Sequence, residues 1–177
     1  MVYLTNSSYG LSICDELVER AIGARVHSLA WLNYPAHDSP DLVFLWSVLD
    51  DGAAAAIRQL PELRRADAEA LGEYYMNRLG YELLGVERFD DGVAILELNA
   101  KEHPFSANTY DSLGEAYAVR DGEGDLERAI ALYKTALTTI AKDPTDDPIE
   151  LERLAENSER MLERLEQRLA ERQKDRS

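Results

Sequence analysis

Apolar residues recur every three or four positions through most of this chain, and short polar turns interrupt them. From Leu42 onward the pattern divides into pairs of amphipathic segments, and the turn within each pair carries aspartate and glycine. A spacing near 3.6 residues is typical of α-helices that bury one face. The pattern therefore predicts a series of helical hairpins, each made of two helices and a tight turn.

Two phrases inside this region repeat one another. The run MNRLGYELL begins at Met76 and the run YDSLGEAY begins at Tyr110, and their glycines, Gly80 and Gly114, are 34 residues apart. A glycine inside a helix costs about 1 kcal/mol relative to alanine. Its recurrence at the same phase of two helices predicts a steric reason, namely that the second helix of each hairpin closely approaches the glycine backbone.

The two phrases resemble the tetratricopeptide repeat in their period and in their Leu-Gly and Pro positions. Pro104 follows the first copy, and the returning helix of the second copy has small, large and small residues at Ala129, Tyr133 and Ala136. In the first copy Gly92 and Asn99 replace the usual alanines, which predicts a small void. The resemblance implies an all-α fold, a right-handed α-α superhelix of about three hairpins closed by a long C-terminal capping helix.

The predicted organisation has three parts: residues 1–38, a strand, helix and linker; residues 39–146, the repeats; and residues 147–177, a capping helix with a frayed tail. The predicted hairpins span 39–65, which is degenerate, 66–104 and 105–144. Helix starts are predicted at the capping residues Ser39, Ser106 and Asp147. Pro61 is expected to end or kink its helix. The buried stripe of the second hairpin is predicted to consist of Leu71, Tyr75, Leu79, Leu83 and Val86.

Residues 1–25 carry a second resemblance. The run VYLTNS, which begins at Val2, with Tyr9-Gly10 and the amphipathic segment after it, resembles the last strand and final helix of the class C β-lactamase-like serine hydrolases. The β-branched and aromatic residues of this run by themselves predict a short strand in residues 1–5. The resemblance describes the chain as a regulatory or recruitment tail of such a hydrolase, whose catalytic body is missing, and so makes a serine-hydrolase domain a candidate partner.

The charge of the chain narrows the choice of partners. Its net charge is −15 and its pI is near 4.5. Nucleic acids and anionic membrane surfaces would be repelled over a screening length of about 10 Å, so neither is a predicted partner, and neutral or basic protein segments are favoured. The single cysteine, Cys14, allows no disulfide within the chain. No apolar run reaches the roughly 20 residues of a membrane span, and a cytoplasmic location is the default expectation.

No catalytic constellation is intact in the sequence. No serine is followed three positions later by lysine, so the nucleophile motif of the serine hydrolases is absent. His27, His37 and His103 are far apart and lack the spacing of metal ligands. The acidic turn at 121–125 is too short for a calcium-binding loop and is predicted to be a solvated turn. We therefore expect no enzymatic activity, no cofactor and no metal.

A binding surface is the remaining candidate for function. In the repeat family that the phrases resemble, the first helices of the hairpins line a concave groove, and their outward positions contact the ligand. Carried over by phase from the two Leu-Gly pairs, these positions are Tyr74, Asn77, Arg78, Tyr81, Asn108, Asp111, Ser112 and Glu115. Amide side chains can hold a peptide backbone by hydrogen bonds. The predicted function is a non-enzymatic protein–protein interaction module that binds a neutral or basic segment.

Two alternatives to a peptide-binding module remain open from the sequence. One is the hydrolase tail described above. The other is a structural homodimer formed through the final helix, whose leucine stripe is typical both of a cap and of a coiled-coil contact. Ser158 interrupts this stripe, which favours the cap.

Overall fold

A computed structural model describes residues 39–66, 71–145 and 147–175. In these residues the chain forms seven α-helices: α1 Pro40–Asp51, α2 Ala53–Ala66, α3 Glu73–Gly85, α4 Phe89–Glu102, α5 Ala107–Arg120, α6 Asp125–Thr139 and α7 Pro148–Asp175. A short 3-10 turn, Ile140–Lys142, extends α6. The predicted all-α, repeat-like fold is confirmed over this part of the chain. The predicted strand and hydrolase-like helix in residues 1–25 lie outside the described residues.

The first six helices form three hairpins in chain order. The turns inside them contain one, three and four residues, so the two helices of each hairpin pack directly against each other. The second hairpin contacts the third through α4 and α5 and, less extensively, through α3 and α5. The last helix, α7, packs against α6 and, over a smaller area, against α5. No helix in the described part of the chain has the length and apolarity needed to cross a membrane.

The apolar core runs along the whole series of hairpins in two clusters. The first joins hairpins one and two, with Phe44 and Val48 of α1 against Met76, Leu79 and Leu83 of α3. The second joins hairpins two and three to α7, and its central members are Leu96, Tyr117, Tyr133 and Leu165. The middle hairpin therefore contributes to both clusters, as expected of a stacked array in which each unit buries its faces against its neighbours.

The two repeated glycines do allow a close helix approach, as predicted. A Cβ atom placed on Gly80 would lie 2.5 Å from Cγ of Leu96 on α4. At Gly114 a Cβ atom would lie 3.1 Å from the ring of Tyr133 on α6. Both partner side chains are completely buried, so each glycine makes room for a large buried side chain of the returning helix.

The predicted void in the second hairpin is not found. A Cβ atom on Gly92 would lie 3.0 Å from Leu84 and 3.1 Å from the carbonyl oxygen of Gly80, so the two helices close the space by direct backbone approach. Asn99 is fully buried, and its Nδ2 donates a hydrogen bond to the carbonyl oxygen of Glu73 at 3.2 Å. Gly92 thus lets the two helices of the second hairpin pack closely, and Asn99 adds a hydrogen bond to the start of α3.

The predicted helix starts at Ser39, Ser106 and Asp147 are confirmed, but two of the three residues do not cap their helices through the side chain. Neither Ser39 nor Ser106 makes a capping side-chain bond within the described residues. Instead, Asp143 accepts a hydrogen bond at 2.6 Å from the backbone N–H of Ala107 at the start of α5. Asp147 caps α7 as predicted, because its Oδ1 accepts from the N–H of Ile149 at 2.9 Å. The cap from Asp143 ties the loop between α6 and α7 to the start of α5.

Three local expectations are wrong or only partly right. Pro61 does not end α2, which continues to Ala66. Val86, predicted to be buried, is 64% exposed because α3 ends at Gly85 and the chain turns outward. In the 121–125 turn the first four residues are exposed, but Asp125 is buried and forms two 2.8 Å hydrogen bonds with Arg120.

Candidate binding cleft

Three of the eight predicted groove residues line one cleft. Tyr74 and Asn77 near the start of α3 and Asn108 near the start of α5 face a space of about 270 Å³, closed on its far side by the first turns of α7. The rest of the lining is Glu73, Ser106, Asp143, Pro144, Thr145, Glu150, Leu151 and Leu154. We call Tyr74, Asn77 and Asn108 the open half of the predicted groove.

The open half combines an exposed aromatic ring with a hydrogen-bond acceptor that the described residues leave unused. Tyr74 is 80% exposed, although most large apolar or aromatic side chains of α3 are buried. The side-chain oxygen of Asn77 is shielded from solvent and has no hydrogen-bond partner among the described residues. A shielded acceptor without a donor is unfavourable by about 1–3 kcal/mol. A ligand donor that reached this oxygen after rotation of the Asn77 side chain would remove this cost.

Asn108 also borders a second, neighbouring cleft. That space is about 500 Å³ and lies between the start of α5 and the N-terminal half of α7. Arg153 and Arg160 of α7 line it together with Glu150 and Glu156. The two clefts share Asn108, Glu150 and Leu154, so a bound segment that passes Tyr74 could continue along α7.

The other residues on these helices form what we call the closed half of the predicted groove: Tyr81, Asp111, Ser112 and Glu115. The hydroxyl of Tyr81 donates to Oε2 of Glu115 at 2.8 Å, which links α3 to α5. Ser112 is only 1% exposed. These side chains are engaged with one another or with α7, and the expectation that Asp111 and Ser112 point outward is wrong.

Asp111 is the centre of the closed half. Its carboxylate accepts a 2.5 Å hydrogen bond from Ser158 and two bonds of 3.0 and 3.1 Å from Nδ2 of Asn157, both on α7. Burial raises the pKa of Asp111, and Glu115 adds to this effect, whereas the two neutral donors and Arg160 oppose it. α7 therefore occupies the position where a ligand of the groove was expected.

Arg78 faces neither half. It lies along α3 toward α1, with its Nε 3.4 Å from Glu82 and its guanidinium 6.0 Å from the centre of the Tyr75 ring. It borders a narrow space of about 30 Å³ that α1 shares with α3. The predicted arginine contact with a ligand thus falls outside the cleft.

The cleft of the open half is acidic. Its carboxylates are Glu73, Asp143 and Glu150, and none of the described residues lining it is Lys or Arg. Glu73 accepts a hydrogen bond from the Ser106 hydroxyl at 2.6 Å and lies 3.7 Å from Nδ1 of His103. Glu150 is exposed, and its carboxylate has no ion-pair partner in the described part of the chain. The local field therefore favours positive or neutral groups.

The described residues include no group of three or more His, Cys, Asp or Glu side chains that could hold a metal ion. No protein-family model matches this chain, and neither a curated protein nor a solved structure matches it.

The residues that α7 and the preceding loop contribute to the cleft were not predicted from the sequence. Glu150, Leu151 and Leu154 lie within two turns of the Asp147-Pro148 start. The orientation of the start of α7 relative to α5 depends on the preceding loop. The conformation of a loop produces no periodic pattern in the sequence. One signal was present, because Ser158 breaks the leucine stripe of α7. A polar residue on an apolar face indicates a buried polar partner, which is Asp111.

Proposed function

We propose that this chain is a non-enzymatic protein–protein interaction module of the tetratricopeptide type, and that it binds a neutral or basic peptide segment in the cleft beside Tyr74. The stacked hairpins, with glycine at the same phase of α3 and α5, support the repeat assignment. The observation that carries the binding role is the unpaired oxygen of Asn77 next to a tyrosine that is 80% exposed.

These groups suit a peptide in extended conformation. Such a peptide presents backbone N–H groups that need acceptors, and the amides of Asn77 and Asn108 can accept and donate at once. Tyr74 supplies a flat apolar ring with few rotatable bonds, a type of side chain enriched in binding hot spots. Leu151 and Leu154 of α7 add apolar surface on the opposite wall. A cytoplasmic location is part of the same proposal.

A homodimer through α7 has less support. Leu165 is buried, and Met161, Leu162 and Leu169 pack against the core of the third hairpin. The stripe that would form a coiled-coil seam is therefore already used inside the chain. The outer positions of α7 carry mainly Glu and Arg and are exposed, as expected for the polar face of a capping helix.

Selection of a random-peptide phage library on the full chain tests the proposal. We expect enriched peptides that bind the wild type and lose about tenfold or more in affinity on a Tyr74→Ala, Asn77→Leu variant. The matched control is Trp46→Ala with Gln167→Leu, since both of these side chains are exposed and lie outside the cleft. Peptides that bind the two variants equally well, or no enrichment at all, would overturn the proposal.

A further inference from the structure

The charge and hydrogen-bonding state of the cleft beside Tyr74 identify the side chain that it would accept. This inference rests on the proposed function and specifies its ligand. We infer that the cleft receives a cationic side chain, arginine or lysine, from the bound segment. The contributing groups are the carboxylates of Glu73 and Glu150, the oxygen of Asn77 and the ring of Tyr74.

Two acceptors at the cleft are not fully used by the described residues. The side-chain oxygen of Asn77 has no donor among the described residues. Glu73 has one oxygen bound to Ser106 and the other 3.7 Å from His103, so the second oxygen can accept another bond. Guanidinium and ammonium groups carry only donors, so they match a site with surplus acceptors.

Helix N-termini at the cleft do not reverse this preference. The starts of α5 and α7 would ordinarily attract an anion through their free N–H groups. The N–H of Ala107 is already bound by Asp143, and those of Ile149 and Glu150 are bound by Asp147 at 2.9 and 3.3 Å. These backbone donors are satisfied by the chain's own carboxylates, so an incoming anion would meet negative charge.

Tyr74 favours the same ligand. A cation within about 6 Å of a tyrosine ring is attracted by its negative face. At 80% exposure the ring has room for a guanidinium on one face. The neighbouring cleft lacks this preference, because Arg153 and Arg160 stand there beside Glu150 and Glu156. The cation is therefore assigned to the cleft beside Tyr74 and not to the whole acidic surface.

NMR titration of the 15N-labelled full chain with N-acetyl-arginine methylamide tests the inference. We expect shifts concentrated in the side-chain amides of Asn77 and Asn108 and in the backbone of residues 73–77. N-acetyl-leucine and N-acetyl-glutamate methylamides should give smaller shifts there. A Glu73→Gln, Glu150→Gln variant should weaken the arginine affinity by about two- to fivefold per carboxylate removed.

The matched control replaces Glu127 and Glu152 by glutamine, which removes the same charge from exposed positions that do not line the cleft. It should leave the arginine affinity within about 1.5-fold of the wild type, since exposed charges farther away are screened. Equal weakening by both variants would mean diffuse attraction to an acidic surface and would overturn the inference. Stronger binding of the glutamate compound would overturn it as well. If phage-selected peptides depend on Tyr74 but carry no Arg or Lys preference, the proposed function stands and this inference fails.

Discussion

The open and closed halves of the predicted groove both lie on α3 and α5. They differ in their contacts with α7. At Asn108 the first turns of α7 stand back and leave a cleft, whereas one turn further along α5 the side chains of Asn157 and Ser158 bind Asp111. α7 therefore covers Asp111 and leaves Asn108 open, although the repeat phase predicted that both would point outward from α5. The repeat phase alone does not predict which of these positions is accessible.

The closed half should matter most for stability. We expect Asp111→Ala to lower the free energy of unfolding by about 2–3 kcal/mol, because it leaves the buried hydroxyl of Ser158 and the half-buried amide of Asn157 without their acceptor. Asn108→Ala, in the open half, should change it by no more than about 0.5 kcal/mol. Urea denaturation of the two variants measures both. Similar losses in the two variants would remove the distinction between the halves.

The close helix contacts at Gly80 and Gly114, behind both halves, should have the next largest effect on the free energy of unfolding. Gly80→Ala places a methyl group 2.5 Å from Leu96 and should cost about 1–2 kcal/mol, since overpacking outweighs the gain in helix propensity. Gly114→Ala meets Tyr133 at 3.1 Å and should stay within about 1 kcal/mol of the wild type. In a Leu96→Ala background the extra cost of Gly80→Ala should largely disappear. An unchanged cost there would show that contact with Leu96 is not its cause.

The smallest expected effect is a pH dependence of the folding stability that comes from Asp111 in the closed half. Burial raises the pKa of Asp111 in the folded chain, so acidification protonates this carboxyl in the folded chain before the unfolded one and favours folding at this position. The amide of an Asp111→Asn variant cannot take up that proton.

The stability of the wild type relative to Asp111→Asn should therefore rise as the pH falls from 7 toward the unfolded-state pKa of about 3.9 and level off below it. Asp125, whose pKa is lowered chiefly by its hydrogen bonds with Arg120, acts in the opposite direction. Asp125 is present in both proteins, so its contribution to the pH dependence cancels in the difference between their stabilities. Thermal or urea denaturation at several pH values measures this difference, and a flat or falling value on acidification would contradict the assigned environment of Asp111.

The sequence was sufficient for features that rest on local periodicity. The phase of Gly80 and Gly114 predicted the close helix approach, and it grouped Tyr74, Asn77 and Asn108, which line one cleft. Features that depend on contacts across the chain were not predictable. Asp143 caps a helix 36 residues earlier in the chain, and Ser158 binds a carboxylate 47 residues away. Neither contact leaves a pattern in the residues between its partners.

The C-terminal end of α3 shows the other limit. Val86 continues the apolar spacing of the helix, but the helix ends at Gly85 and Glu87 adopts a positive φ of 63°. The apolar period thus runs past the point where the backbone changes direction. An apolar period identifies a helix face and does not locate the residue at which the helix ends.

The affinity of one phage-selected peptide for three proteins tests the central claim most directly. Fluorescence anisotropy of the labelled peptide would compare the wild type with Tyr74→Ala in the open half and Tyr81→Phe in the closed half. We predict a loss of about tenfold or more for Tyr74→Ala and a change within about twofold for Tyr81→Phe, which removes the hydrogen bonds of this hydroxyl with Glu115 and Ser112 inside the closed half. Loss of binding with Tyr81→Phe and none with Tyr74→Ala would place the ligand in the closed half and contradict the account.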